Sequence, residues 1–360
     1  IKTWARAASR RQPLVIQLED AQWLDASSVR AVQQLTYNMS DVPLALILTS
    51  RYKDDGSPLV IPNIFSLPVN NFDLHRLRDE EVRTVASAVL KGTVSDRLAR
   101  IISQRAEGNP FFTEQLALDL HERGALVKTD ETWDIRSDAI ADVPSGANAV
   151  LIARLDRLAA QVKLVVQTAS VLGREFEVVV LSRMLREDEQ PAVKTAEREA
   201  IWTALDELRY LFRHALLRDA AYNMQAQERL TVLHQLAAES IEAVYGDDPQ
   251  QDYILVEHWH NAHVLDKELH YLNRLAEPLI AIRAQYDDAR RMIQRALDKL
   301  GSRDARRIAL LNNLSFALQN VGEYQRAQDT SSEALQLARE LGDQAGEAVS
   351  LFRLAMAAYL

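Results

Sequence analysis

Two short apolar runs near the start of the chain set the first pattern. Residues 13–18 (PLVIQL) end in Glu19 and Asp20, and residues 43–48 (PLALIL) end in Thr49, Ser50 and Arg51. Short, nearly continuous apolar runs bounded by polar turn formers predict buried strands. Between them Asp25, Ser27 and Ser28 open a stretch that carries Val29, Val32, Leu35 and Met39 at helical spacing. Strand, helix and strand in that order predict a βαβ unit of a parallel sheet. Pro58, Pro62 and Pro68 punctuate the loop that follows, and residues 73–123 return to a helical pattern. Residues 125–135 (ALVKTDETWDI) alternate around a polar turn and predict a small hairpin. Three helical patterns lie between Ala147 and Leu208, and a short apolar segment, Tyr210–Phe212, runs straight into Arg213 and His214. From about Glu228 the chain is helical in period with short polar breaks.

The last region repeats. Tyr286, Ala289, Ile293, Ala296, Leu297 and Leu300 recur as Tyr324, Ala327, Ser331, Ala334, Leu335 and Ala338, a constant shift of 38. Small residues at the paired Ala positions let helices approach closely while the larger ones fill the groove between them, as in stacked helix-pair solenoids. Asn313, Leu314, Gly322, Glu323 and Tyr324 resemble the tetratricopeptide repeat pattern, and a weaker unit lies at His258–Leu272. A four-helix bundle is the alternative. Three helices followed by a strand before His214 suggest a winged-helix module, in which the Leu208–Tyr210 connection leaves little room for the wing. The expected segments are therefore 1–72, a partial α/β core; 73–137, a helical segment with a hairpin; 138–225, the winged helix; and 226–360, the helical repeats. The fold class is a partial α/β core with a parallel sheet, followed by mainly α structure.

Composition narrows the function. Hydrophobic residues make up 48% of 360, with 11 Gly and 10 Pro, which fits a globular chain rather than a disordered one. A net charge of −9 argues against nucleic acid or anionic lipid as a partner. Without Cys there is no disulfide framework or thiolate metal site, and no apolar run approaches the ~18 residues of a membrane span. The expected address is the cytoplasm. Ile1 in place of Met, and a last segment that reads as an unfinished helix, suggest that both ends are cuts.

Glu19 and Asp20 close a predicted parallel strand, the edge at which α/β proteins bind ligands. In nucleotide hydrolases an acid there holds Mg²⁺ and a neighbouring acid orients the attacking water; the plain alternative is a polar loop that caps the next helix. The string LEDAQWLDASS, then ILTSR, then GNPFFTEQL, continuing through LIARLDRLAAQVKLVVQTASVLGREF and FRHALLRDAAY, resembles the bacterial STAND signalling ATPases. The resemblance covers most of the chain before the repeats. It implies that residues 1–72 are the C-terminal half of a P-loop NTPase core and 73–137 its helical lid, with Glu19 on the Mg²⁺ side and Asp20 in the base-like position of a Walker B segment. By the same resemblance Arg51 senses the γ-phosphate, Pro110 packs on adenine, and His214 of the FRHALLRDAAY segment meets the phosphates of ADP. Without it, Arg51 reads as a surface residue, Gly108-Asn109-Pro110 as a turn between helices, and His214 as a core histidine.

One expected motif is absent. A phosphate loop needs G-x-x-x-x-G-K-[ST], and none of the 11 Gly is followed by Lys. In this family that loop precedes the Walker B strand, so the chain is expected to hold half of an ATP/ADP and Mg²⁺ site, belonging to a slow parent ATPase. Three readings follow. The first is a nucleotide-dependent switch whose repeats receive a protein or small-ligand signal, with ligand-dependent self-association. The second is a non-catalytic repeat scaffold on a degenerate ATPase core. The third is a transcriptional regulator of LuxR type, against which stands the mixing of Arg183, Arg186, Lys194 and Arg198 with Glu187, Asp188, Glu189, Glu197 and Glu199 in the module. Missing most of the phosphate contacts, the 360-residue chain should neither bind a labelled ATP analogue below micromolar concentrations nor hydrolyse ATP, as a fluorescence titration would show.

Overall fold

A computed structural model describes residues 2–24, 26–52, 57, 68–140, 143, 147–185, 190–282 and 285–359. The predictions made at Asp25, Pro58, Pro62 and Arg186–Glu189 lie outside them. The chain is mostly helical and divides into two compact units, Ile1–His75 and Arg76–Leu360. None of the described helices is long and apolar enough to cross a membrane.

In the first unit α1 (Lys2–Ser9) precedes β1 (Leu14–Leu18), and α2 (Ala26–Thr36) leads to β2 (Leu44–Leu48). The strands pair in parallel, Leu14 opposite Leu44 through Leu18 opposite Leu48. This is the βαβ order expected from the two apolar runs. Alternate residues Leu14, Ile16 and Leu44 turn toward a small core of Ala5, Leu35 and Met39, while Val15 and Ile47 on the opposite face are exposed. Two details differ from the sequence reading. Helix α1 was not foreseen, and α2 stops at Thr36, so Met39 is buried from a loop in which Asn38 has φ 53°.

The second unit opens with α3 (Asp79–Leu90), β3 (Thr93–Val94), α4 (Asp96–Ala106), α5 (Pro110–Glu122), β4 (Leu126–Thr129) and β5 (Thr132–Ile135). The β4–β5 hairpin is the one predicted, and β3 adds to it in parallel. Helices α3 and α4 start well: Glu81 bonds back to the Arg78 backbone, and the Ser95 hydroxyl accepts from the Leu98 N–H. The inward faces of α3, α4 and α5, among them Val82, Ala86, Leu98, Ile102, Leu116 and Leu120, form one core.

Then come α6 (Ala147–Asp156), α7 (Ala160–Leu172), β6 (Glu175–Glu177), α8 (Val178–Leu185), α9 (Gln190–Arg198), β7 (Trp202–Ala204), β8 (Arg209–Phe212) and α10 (Ala215–Asn223). The expected three helices and one strand before His214 become four helices and three strands. The strands form an antiparallel sheet in the order β6-β8-β7. Its aromatic heart explains why strands this short persist: Phe176 meets Trp202 and Phe212 at 5.0 and 5.7 Å between ring centroids, and the Trp202 Nε1–H donates to the Val193 carbonyl. The β7–β8 connection is brief but closed, because the Asp206 carboxylate accepts from the backbone N–H groups of Leu208 and Arg209.

Among the described residues the unit ends with seven helices: α11 (Gln227–Tyr245), α12 (Asp252–Asn261), α13 (Leu265–Ala281), α14 (Tyr286–Leu297), α15 (Arg306–Asn320), α16 (Tyr324–Leu341) and α17 (Gln344–Tyr359). Each packs on the next, and α13 also touches α15, which in turn touches α17. Contacts between alternate helices are the mark of a stacked solenoid rather than of a closed four-helix bundle. The shift of 38 appears in the structure as α14 and α16, which begin at Tyr286 and Tyr324. Ala289, Ala296, Ala327 and Ala334 are fully buried. Ser331 stands where the earlier repeat has Ile293; its hydroxyl is buried and shares a 2.6 Å hydrogen bond with Ser315, so the polar replacement is satisfied. Replacing Ala327 with Leu would force a side chain into a crossing with no room. The variant should lose ~1–3 kcal/mol of stability, read by chemical denaturation; no loss would mean that the register is wrong.

Candidate functional site

In the first unit the C-terminal ends of β1 and β2 bring Glu19, Asp20 and Arg51 to one sheet edge. Thr49 ties the two strands there: its backbone N–H donates to the Leu18 carbonyl, its carbonyl accepts from Ala21, and its hydroxyl accepts from the Asp20 N–H at 3.2 Å. Asp20 takes a left-handed conformation, φ 53° and ψ 44°, one that Asp tolerates better than most residues. The chain thereby turns sharply off the strand, and both acids remain exposed. Each is held by a neighbouring amide, with Gln17 donating to Glu19 at 3.0 Å and Gln22 donating to Asp20 at 2.9 Å. Gln22 also accepts from the Arg51 backbone N–H at 3.1 Å, so a single side chain links the acid turn to the arginine turn. Among the described residues no cluster of three or more acidic or histidine side chains could cage a metal by itself. Two carboxylates at a strand end match the needs of Mg²⁺, which usually takes one or two and completes its shell with water and phosphate.

In the second unit the Gly108-Asn109-Pro110 segment starts α5. Gly108 has φ +69°, and a Cβ there would sit 2.6 Å from the Leu77 carbonyl oxygen, so glycine is required. The Asn109 side chain accepts from the Phe111 and Phe112 N–H groups, and Pro110 occupies the first helical position with its ring exposed. His214 is the N-cap residue of α10 and is half-buried. Its ring lies 4.0 Å from that of Phe111, centroid to centroid, so two residues singled out from different motifs, Pro110 and His214, belong to one neighbourhood. Burial holds the His214 imidazole below its usual range; Glu114 opposes this, while Arg213, Arg154 and Arg174 reinforce it.

Sequence reasoning missed the groups that join these parts. Arg154 on α6 donates to the Gln115 side chain of α5 and to the Glu199 carbonyl after α9. Gln225, between α10 and α11, donates to the Gln167 and Ala221 carbonyls. Beside it a polar chain crosses three helices: the Tyr222 hydroxyl bonds His234 Nε2 at 2.8 Å, and His234 Nδ1 meets His258 Nδ1 at 2.9 Å. Only the His residues themselves were visible in the sequence, where nothing marks a pair 24 positions apart. Burial, with Arg218 nearby, pushes His234 down to about 4; burial and the neighbouring His234 push His258 down to about 3.

No protein-family model matches the chain. An uncharacterized protein of Rhizobium meliloti is 24% identical over 305 residues, which are 82% of this chain and 29% of that protein. The chain thus spans less than a third of the length of this curated relative. A crystal structure from Pyrococcus horikoshii, titled a Signal Transduction ATPase with Numerous Domains protein with a tetratricopeptide repeat sensor, is 11% identical with a TM-score of 0.44, covering 98% of this chain and 54% of that one. Neither similarity assigns an activity.

The histidine pair generates a pH dependence. Unfolded, each ring takes up a proton near pH ~6.5; folded, His234 does so only near 4 and His258 near 3. Between those values the unfolded chain holds more protons, so the contribution of the pair is complete above ~6.5 and is lost as the pH falls through that window. The melting temperature should fall from pH 7 to 4.5, and His258→Gln should make that fall shallower. An unchanged slope would show that the pair does not titrate this way.

Proposed function

We propose that this chain is part of a nucleotide-dependent signal-transduction switch, in which the helical repeats take up a protein or small-ligand signal. The observation that carries the reading is the acid turn at the edge of a parallel sheet, where Thr49 and Gln22 fix Asp20 and the backbone of Arg51 together and Gln17 holds the adjacent Glu19. A loop serving only to cap a helix needs no such cross-links to the neighbouring strand. In this reading Glu19 and Asp20 hold Mg²⁺ and orient water, and Arg51 meets the γ-phosphate through its planar guanidinium. Within the second unit, which we take to hold a winged-helix module between a helical lid and the repeats, the resemblance to the STAND ATPases makes Pro110 an adenine contact and His214 a contact to the phosphates of ADP. The bound group would supply the phosphate that is transferred; the residues of this chain orient it and exclude competing contacts.

The repeats support the signal-receiving role on physical grounds. A stack of helix pairs exposes a long surface whose curvature follows from small rotations between repeats, a form suited to holding a partner.

The test is made with this chain joined to a phosphate-loop segment, so that a complete nucleotide site can form. Glu19→Gln combined with Asp20→Asn should lower ATP turnover by roughly 10²–10⁴-fold, the scale of losing a general base, with the melting temperature unchanged. Unchanged turnover would overturn the Walker B assignment and favour the scaffold reading.

A further inference from the structure

Arg154 is 5% exposed, yet it forms an ion pair with none of the described carboxylates. A buried cation without a counter-ion is costly unless other groups compensate. Two neutral acceptors do so here, with longer-range attraction from the Glu122, Glu199 and Glu114 carboxylates. One is the Gln115 amide oxygen, itself buried on α5. The other is the Glu199 carbonyl just past the last residue of α9. That turn is closed by hydrogen bonds from Ala200 to Glu197 and from Ile201 to Ala196, with Ala200 at φ +56°. The C-terminal end of a helix carries partial negative charge, so a cation is favoured there.

A second route joins the same elements. The Arg213 N–H donates to the Ile201 carbonyl at 3.0 Å, two residues past Glu199. His214 follows, with its ring against Phe111. Phe111 lies four residues before Gln115, on the same face of α5. The contacts therefore close a ring, from α5 through Arg154 to the end of α9, through Ile201 and Arg213 to His214, and back to α5. Around His214 the charged groups are Glu114 of α5, Arg154 of α6, Arg174 before β6 and the adjacent Arg213.

We infer that Arg154 is a positioning residue: bonded to Gln115 on one side and to the Glu199 carbonyl on the other, it sets the first turn of α5 against His214. Any displacement of the α5 N-terminus must then carry the end of α9 with it, or break a buried guanidinium contact. The inference goes beyond the proposed function and stands whether or not a nucleotide binds.

Proton NMR of the 360-residue chain with labelled histidine tests it. Lying on the Phe111 ring, His214 should show ring protons displaced by the aromatic current, and Phe111→Leu identifies that displacement. Gln115→Leu removes one arm and leaves the Arg154 charge in place; it should abolish the displacement while the fluorescence of the buried Trp202 stays unchanged. Gln115→Glu restores an acceptor for Arg154 and should keep the displacement. Arg154→Lys, which cannot reach both acceptors, should lose it. If Arg154→Lys does not fold, the two Gln115 variants decide the matter alone. Wild-type His214 signals in Gln115→Leu would overturn the inference, because packing alone would then hold the two rings together.

Discussion

The apolar surface of α11 is the constraint on which the larger unit depends. On one side Leu230, Leu233, Ala237, Ala238 and Ile241 share a core with Val171 of α7 and with Val180 and Met184 of α8. On the other the same core continues through Leu255, Val256 and Trp259 into the repeats as far as Ala357. Burial of apolar area is the main favourable term in folding. A core that crosses from one module to the next therefore couples their stabilities. The segment between α10 and α11 adds direction to this coupling, since Gln225 and the Tyr222–His234–His258 chain pin it with hydrogen bonds that act only at short range.

Much of this was legible in the sequence, for reasons that particular residues make clear. The runs at 13–18 and 43–48 are legible as strands because they are short and almost wholly apolar; that Val15 and Ile47 stand exposed on one face was not, since such a run predicts burial on both. The repeat was legible because stacking asks the same thing of each unit: a small residue where helices cross, met by Ala289 and again by Ala327. The break between helices at Gly108-Asn109-Pro110 was legible because Asn109 and Pro110 obey local rules of capping. The strands at Glu175–Glu177 and Trp202–Ala204 were missed for the opposite reason. Three residues carry no period, and what stabilises them is an aromatic cluster assembled from Phe176, Trp202 and Phe212, far apart along the chain.

The candidate site divides in the same way. Glu19 and Asp20 could be singled out because they close an apolar strand; Arg51, Pro110 and His214 stood out only through the resemblance to the STAND ATPases, and without it read as a surface arginine, a turn and a core histidine. Their supports could not be singled out. Arg154 in the sequence LIARLDRL looks like any arginine on a helix, and Gln115 like any polar surface residue. Only folding places 39 positions of separation within one hydrogen bond and buries both partners. Buried polar contacts depend on the entire surrounding packing, which has no one-dimensional signature.

The length of α11 has a mechanical meaning. Nineteen helical residues at 1.5 Å each make a rod about 28 Å long. Its N-terminal turn is fastened by the residues around Gln225, and its other end lies among the first repeats. A tilt of about 10° at one end would swing the other by about 5 Å, close to the pitch of one helical turn. Small rearrangements of packing at the fastened end would thus be magnified geometrically along the solenoid, as a short push at a pivot moves the far end of a lever.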